Sequence, residues 1–150
     1  MRRLVIMVDE VLGVVKNIIV RWTDMEDNWK YVKTLENRDA VRLFLEKYRI
    51  DLPRFIVQTI ETYNGGRPSN KHIFTSANRE YVFKTLLSYN KNDKETIYSV
   101  YPEPFRKLGL FPIASDTAGN YVCFDVMNRN WVLYNHESDQ VESVLEMAIV

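Results

Sequence analysis

Residues 115–126 read SDTAGNYVCFDV, and the order of residue types in this stretch sets the character of the second half of the chain. Asp116 and Asn120 bracket Gly119, the composition of a tight turn, where a carboxylate or carboxamide bonds nearby amides and glycine accepts a positive φ. Tyr121 to Asp125 then alternates. Tyr121, Cys123 and Asp125 belong to one face of a strand, and Val122 and Phe124 to the other. Upstream, LFPIA (110–114) is a second short strand, and downstream WVLYN (131–135) is a third. Met127-Asn128-Arg129-Asn130 joins the last two as an antiparallel hairpin.

Working back toward the N-terminus, the spacing predicts helices. Thr23 and Glu26 have capping-box spacing, with Met25, Trp29, Val32 and Leu35 on one side. Asn37 and Asp39 start a second helix, with Val41, Phe44, Leu45 and Tyr48 inward. In IDLPRFIVQTIETYNGG (50–66), Pro53 opens a third helix whose stripe is Phe55, Ile56, Ile60 and Tyr63. Asn64-Gly65-Gly66 ends it, since these residues tolerate a left-handed backbone. HIFT (72–75) suits a short strand, ANREYVFKTLLSY (77–89) a helix after Ser76, and residues 90–95 a loop. IYSVY (97–101) alternates until Pro102 and Pro104 break it. Two segments stay open: residues 4–22 fit a helical face or two strands, and DQVESVLEMAIV (139–150) fits a helix or a strand. Helices first and strands later give an α+β fold. A chain of 150 residues reads as one domain, 1–150.

Composition limits the chemistry. Twenty Lys and Arg balance 20 Asp and Glu, which argues against a nucleic-acid binder with its basic footprint. After Arg129 the chain carries Glu137, Asp139, Glu142 and Glu146 and no Lys or Arg, an acidic tail. Cys123 is the one cysteine, so an internal disulfide is impossible, and its apolar neighbours point to an inert buried thiol. Asp9 and Glu10 interrupt the N-terminal apolar run, which is read as part of the fold. No apolar stretch approaches the ~20 residues that span a bilayer. Membrane insertion is not expected, and the cytoplasm is the expected location.

Motif chemistry is sparse. There is no GxGxxG, P-loop or GxSxG. Two histidines, His72 and His136, and the sequence HESD (136–139) make no HExxH metal site. DTAGN lacks the acidic ladder of a calcium loop. Ser115, Asp116 and His136 are the residue types of a triad, but a triad is defined by geometry. Glu103, Asp116, Asp125 and Glu137 offer carboxylates for a hydrolase, and nothing marks two as partners. No cofactor and no catalytic activity are expected.

The ordered pattern Leu52-Pro53, Tyr63-Asn64-Gly65-Gly66, Pro112-Ile113-Ala114, Asp116, Gly119-Asn120, Asp125, Val132 and His136-Glu137 resembles the SUKH superfamily. That group is named after yeast cell-wall-synthesis regulators of the SMI/KNR type. The resemblance covers roughly residues 39–142 and leaves residues 1–36 outside. Where the family often has Gly shortly before Leu-Pro, this chain has Tyr48-Arg49-Ile50, and the family usually ends in a helix with a Phe-rich face. The resemblance implies an α+β fold with helices flanking a mainly antiparallel sheet, and function by protein binding. Bacterial members are mostly immunity proteins that neutralise polymorphic or contact-dependent toxins; fungal members regulate cell-wall glucan synthesis. It further implies that Leu52, Pro53, Asn64, Gly65, Gly66, Asp116, Gly119, Asn120, Asp125, His136 and Glu137 are chiefly architectural. For a toxin-domain partner, Trp131, Tyr134 and Trp29 are candidate anchors. Glu137, Asp139, Glu142 and Glu146 are candidate acidic contacts.

Overall fold

A computed structural model describes residues 2–11, 14–24, 29–69 and 72–149. The chain opens on a hairpin, β1 (Arg2–Val11) and β2 (Val14–Asp24), followed by the short β3 (Trp29–Lys30). Two helices follow, α1 (Ala40–Tyr48) and α2 (Arg54–Thr62). Next come β4 (Arg67–Pro68), β5 (His72–Thr75) and β6 (Glu80–Leu86). Two single-turn helices, α3 (Ile97–Val100) and α4 (Phe105–Leu108), precede β7 (Leu110–Asp116), β8 (Tyr121–Asp125), β9 (Asn130–Asn135) and β10 (Gln140–Ile149).

The main sheet has eight strands in the order β2-β1-β10-β5-β6-β7-β8-β9, and β10 also pairs with β9. That extra pairing curls six strands into a barrel-like ring. β10 manages it by changing partners along its length. Gln140 to Ser143 pair with β9, and from Val144 onward the strand pairs with β5. β1 then adds to the far end of β10, with Leu4 opposite Ile149 and Ile6 opposite Met147. Every pairing between named strands is antiparallel.

Residues opposite one another in an antiparallel ladder share a face. Phe124 lies opposite Trp131 and Val122 opposite Leu133. This face meets α2, whose Ile56 and Ile60 close a narrow cleft with Phe83, Leu86, Ile113, Trp131 and Met147. Tyr121 opposite Tyr134 and Cys123 opposite Val132 form the other face. α4 covers it, with the Phe105 ring edge-on to Tyr121 at 5.4 Å and to Tyr134 at 5.1 Å. Val122, Cys123 and Phe124 are therefore all buried.

The α+β expectation holds at that level, but the helices do not form an N-terminal block. The opening segment resolves as a hairpin, and the tail resolves as strand β10. The helix expected from Thr23 is corrected. Thr23 is in β2, Met25 and Glu26 lie outside the described residues, and Trp29 is in β3, opposite Pro68. Trp29 stacks on Tyr63 at the end of α2, ring centroids 4.8 Å apart, and this long-range contact outweighs local helical spacing. The helix expected over 77–89 is strand β6, because Phe83 and Thr85 turn inward between β5 and β7. IYSVY forms α3 instead of an extended run, with Thr96 as its N-cap: its side chain accepts from the Ser99 N–H at 3.3 Å.

Candidate functional site

The turn at 116–120 is built by its own side chains. Asp116 Oδ1 accepts from the main-chain N–H of Ala118 (2.9 Å) and of Asn120 (2.6 Å), and Oδ2 accepts from Asn120 Nδ2 at 2.8 Å. Gly119 carries φ +85°, and an added Cβ would sit 3.3 Å from the His136 ring. Asn120 then spans to the end of β9, where its Oδ1 accepts from the His136 N–H at 3.0 Å and from ring Nδ1 at 2.9 Å. Asp116 is 3% exposed, so a carboxylate is held out of water by donors from its own turn.

The second motif turn follows the same logic. Asp125 accepts from the Asn128 N–H (3.0 Å) and from Asn128 Nδ2 (2.9 Å). Arg129, at φ +56°, reaches back to the Asp51 carbonyl with Nη1 at 2.6 Å. The β8–β9 turn is thereby tied to the connection that carries Leu52-Pro53 into α2. Leu52 is buried and Pro53 occupies the N-cap of α2.

Asn64 is fully buried. Its Nδ2 donates to the Lys33 carbonyl (2.8 Å) and to Ser88 Oγ (3.1 Å), and its Oδ1 accepts from the Tyr89 N–H at 2.8 Å. Of the three turn residues, Gly65 takes the left-handed backbone, φ +67°, and an added Cβ would lie 2.9 Å from Lys33 Cγ. At Gly66 it would meet the Tyr63 carbonyl oxygen at 2.7 Å. Asn90 acts in parallel, donating to the Thr34 carbonyl at 2.9 Å and accepting from the Glu36 N–H at 2.9 Å. Nothing in the local sequence marks Asn90, because its partners are more than fifty residues away.

The candidate contacts are not brought together. Trp131 is 3% exposed and Tyr134 is 5% exposed, one beneath α2 and the other beneath α4; as surface anchors both are corrected, as is the buried Trp29. Glu142 is also buried. On the face shared with Leu133 it accepts hydrogen bonds from Thr75 Oγ1 and from the Tyr81 hydroxyl, with Arg79 Nε at 3.9 Å. It sits beside the point where β10 changes partners. Asp139 accepts from the Tyr134 hydroxyl, Glu137 is exposed, and the Glu146 side chain lies outside the described residues. Ser115, Asp116 and His136 do not form a triad. Ser115 Oγ is buried with no partner among the described residues, while the His136 ring is held by Asn120. Cys123 is fully buried, and burial pushes its thiol well above the ordinary range.

These features define a class: a small α+β domain on a ring of antiparallel strands, whose signature residues spend their side chains on its own turns. The family model described as SUKH_6, SMI1-KNR4 cell-wall, matches residues 38–146. The chain belongs to this SMI1-KNR4 family. Among curated proteins and solved structures, none matches. Among the described residues, no helix is long and apolar enough to cross a membrane.

Proposed function

We propose that this chain is a non-catalytic protein-binding domain acting as an immunity protein, neutralising a polymorphic or contact-dependent toxin by direct contact. The observation that carries this reading is the use of the motif side chains. Asp116, Asn120 and His136 tie one turn to the end of β9, and Asp125 braces the next turn. Residues with acid–base potential are thus spent on rigidity. A rigid surface suits inhibition by occlusion, since little ordering entropy is lost on binding. Such a contact would bury roughly 800 Å² on each partner.

Co-expression with any toxin domain encoded in a neighbouring gene tests the reading. Growth restored by the wild-type chain, with a co-purifying complex, is the expected result. Toxicity unchanged by the chain, for every neighbouring candidate, overturns it. The cell-wall description of the matched family supports a second reading, a regulatory scaffold for envelope polysaccharide synthesis. A pull-down that returns a polysaccharide synthase in place of a toxin would favour that one.

A further inference from the structure

An open groove of about 610 Å³ lies between α1 and the segment 89–101. Its helix wall is formed by Leu43, Lys47 and Tyr48, and the facing wall by Lys91, Tyr98 and Tyr101. Phe44 underlies both walls, with its ring 4.9 Å from Tyr48, 5.5 Å from Tyr98 and 5.8 Å from Tyr101. The aromatic rings are therefore locked against each other and lose little freedom when a partner arrives. Leu43 is an exposed leucine on the lip.

The charges on the rim are one-sided. Lys47 Nζ stands 5.2 Å from the centre of the Tyr48 ring, and Lys91 Nζ stands 5.4 Å from that of Tyr98. Neither ammonium has a carboxylate within ion-pair distance among the described residues. The nearby acids are engaged elsewhere: Glu46 with Arg42, Glu95 with Lys84, and Asp93 with Ser88. Glu36 at one end is the one carboxylate lining the groove. One further group is unsatisfied. The Tyr89 hydroxyl, in the wall and 3% exposed as a residue, has no hydrogen-bond partner among the described residues.

We propose that this groove is the docking site for the protein partner and that it receives an acidic segment of that partner. An apolar or aromatic anchor lies between Leu43 and Tyr101, and carboxylates reach Lys47 and Lys91. The proposal rests on the protein-binding reading above and specifies its surface. It also reverses the charge expected from the tail, because Glu142 is buried and Asp139 is engaged by Tyr134. Stacked nucleobases are a poorer fit. Lys47 and Lys91 already cover ring faces of Tyr48 and Tyr98, where bases would have to lie.

The test is an amide NMR titration of the full chain with three probes: a blocked pentapeptide Glu-Tyr-Leu-Asp-Glu, its charge-reversed form Lys-Tyr-Leu-Lys-Lys, and oligouridylate. Expected are saturable shifts at Leu43, Lys47, Lys91 and Tyr98 with the acidic peptide alone. They should weaken with added salt. Affinity should fall about tenfold or more in Lys47→Glu/Lys91→Glu and stay unchanged in the control Lys33→Glu/Lys94→Glu. Shifts centred elsewhere, equal binding of the basic peptide, preference for oligouridylate, or indifference to the Lys47/Lys91 reversal would each overturn the proposal. Toxin rescue separates the two readings. Rescue that survives the double reversal removes the groove and leaves the immunity reading standing. Rescue absent even with wild type removes the immunity reading, and the peptide titration still decides the groove.

Discussion

Asn120 Oδ1 accepts two hydrogen bonds from one residue, the main-chain N–H and the ring Nδ1 of His136, while its Nδ2 donates to Asp116. One carboxamide thus joins the β7–β8 turn to the end of β9. Asn120→Ala strips a donor from a buried carboxylate and an acceptor from two nitrogens, so a loss of about 2–3 kcal/mol is expected. Urea unfolding measures it, with the loss appearing in the midpoint and the slope unchanged. A change below about 0.5 kcal/mol, the range of ordinary surface substitutions, would show that the tie contributes nothing.

Gly119 and Gly109 separate backbone strain from steric contact. Both have positive φ, +85° and +68°, but an added Cβ meets the His136 ring at 3.3 Å in the first case and nothing within 4 Å in the second. Gly109→Ala should therefore lose the left-handed penalty alone, about 1 kcal/mol. Gly119→Ala should lose clearly more, and Gly119→Ala/His136→Ala should show a favourable coupling between the two sites. Equal losses at the two glycines would mean that His136 yields freely.

Arg49 shows the cost of a side chain at a left-handed helix end. It caps α1 in the left-handed region, φ 55° and ψ 47°, a backbone that glycine adopts without penalty. Arg49→Gly relieves the strain of a Cβ in that region, roughly 1–2 kcal/mol, against a smaller gain in unfolded-state entropy. A net stabilisation of about 0.5–1 kcal/mol is expected, read as a higher thermal midpoint. A lower midpoint would reveal a stabilising role for the arginine side chain.

What could be read from the chain depended on how local the cause was. β7, β8 and β9 were legible because turn residues and strand alternation lie within a few positions of each other. Asp116 and Asn120 advertised their turn for the same reason. β6 was misread because ANREYVFKTLLSY reads as a helix opened after Ser76, and the decision came from pairing with Ala114–Asp116. Trp29 was misread because Tyr63, its stacking partner, is far along the chain. Trp131 and Tyr134 looked like anchors because sequence gives one face of a strand at a time, and here α2 covers one face and α4 the other. Asn90 left no trace at all, since its bonds close loops to Thr34 and Glu36. The aromatic groove escaped for a related reason: α1 and residues 89–101 meet only in three dimensions.

Stability should decline on the alkaline side, and two residues should account for part of the decline. Burial lifts the Cys123 thiol well above its ordinary value and lifts the Tyr89 phenol above its own. In each case the folded state favours the neutral form. As pH rises past about 8.5, the unfolded chain releases the thiol proton first, so the folded state loses ground. The contribution is fully present below that pH and is lost as pH rises toward the folded-state value. Each such group steepens the fall by up to about 1.4 kcal/mol per pH unit. Urea midpoints at pH 7.5, 9 and 10.5 should fall progressively in wild type, less steeply in Cys123→Ala, and least in Cys123→Ala/Tyr89→Phe. In the same samples the native thiol should resist a disulfide reagent at pH 8 and react once urea unfolds the chain. Identical alkaline slopes in wild type and Cys123→Ala, or rapid labelling of the native thiol, would show that Cys123 is not held as the buried neutral group that strand β8 requires between its two covered faces.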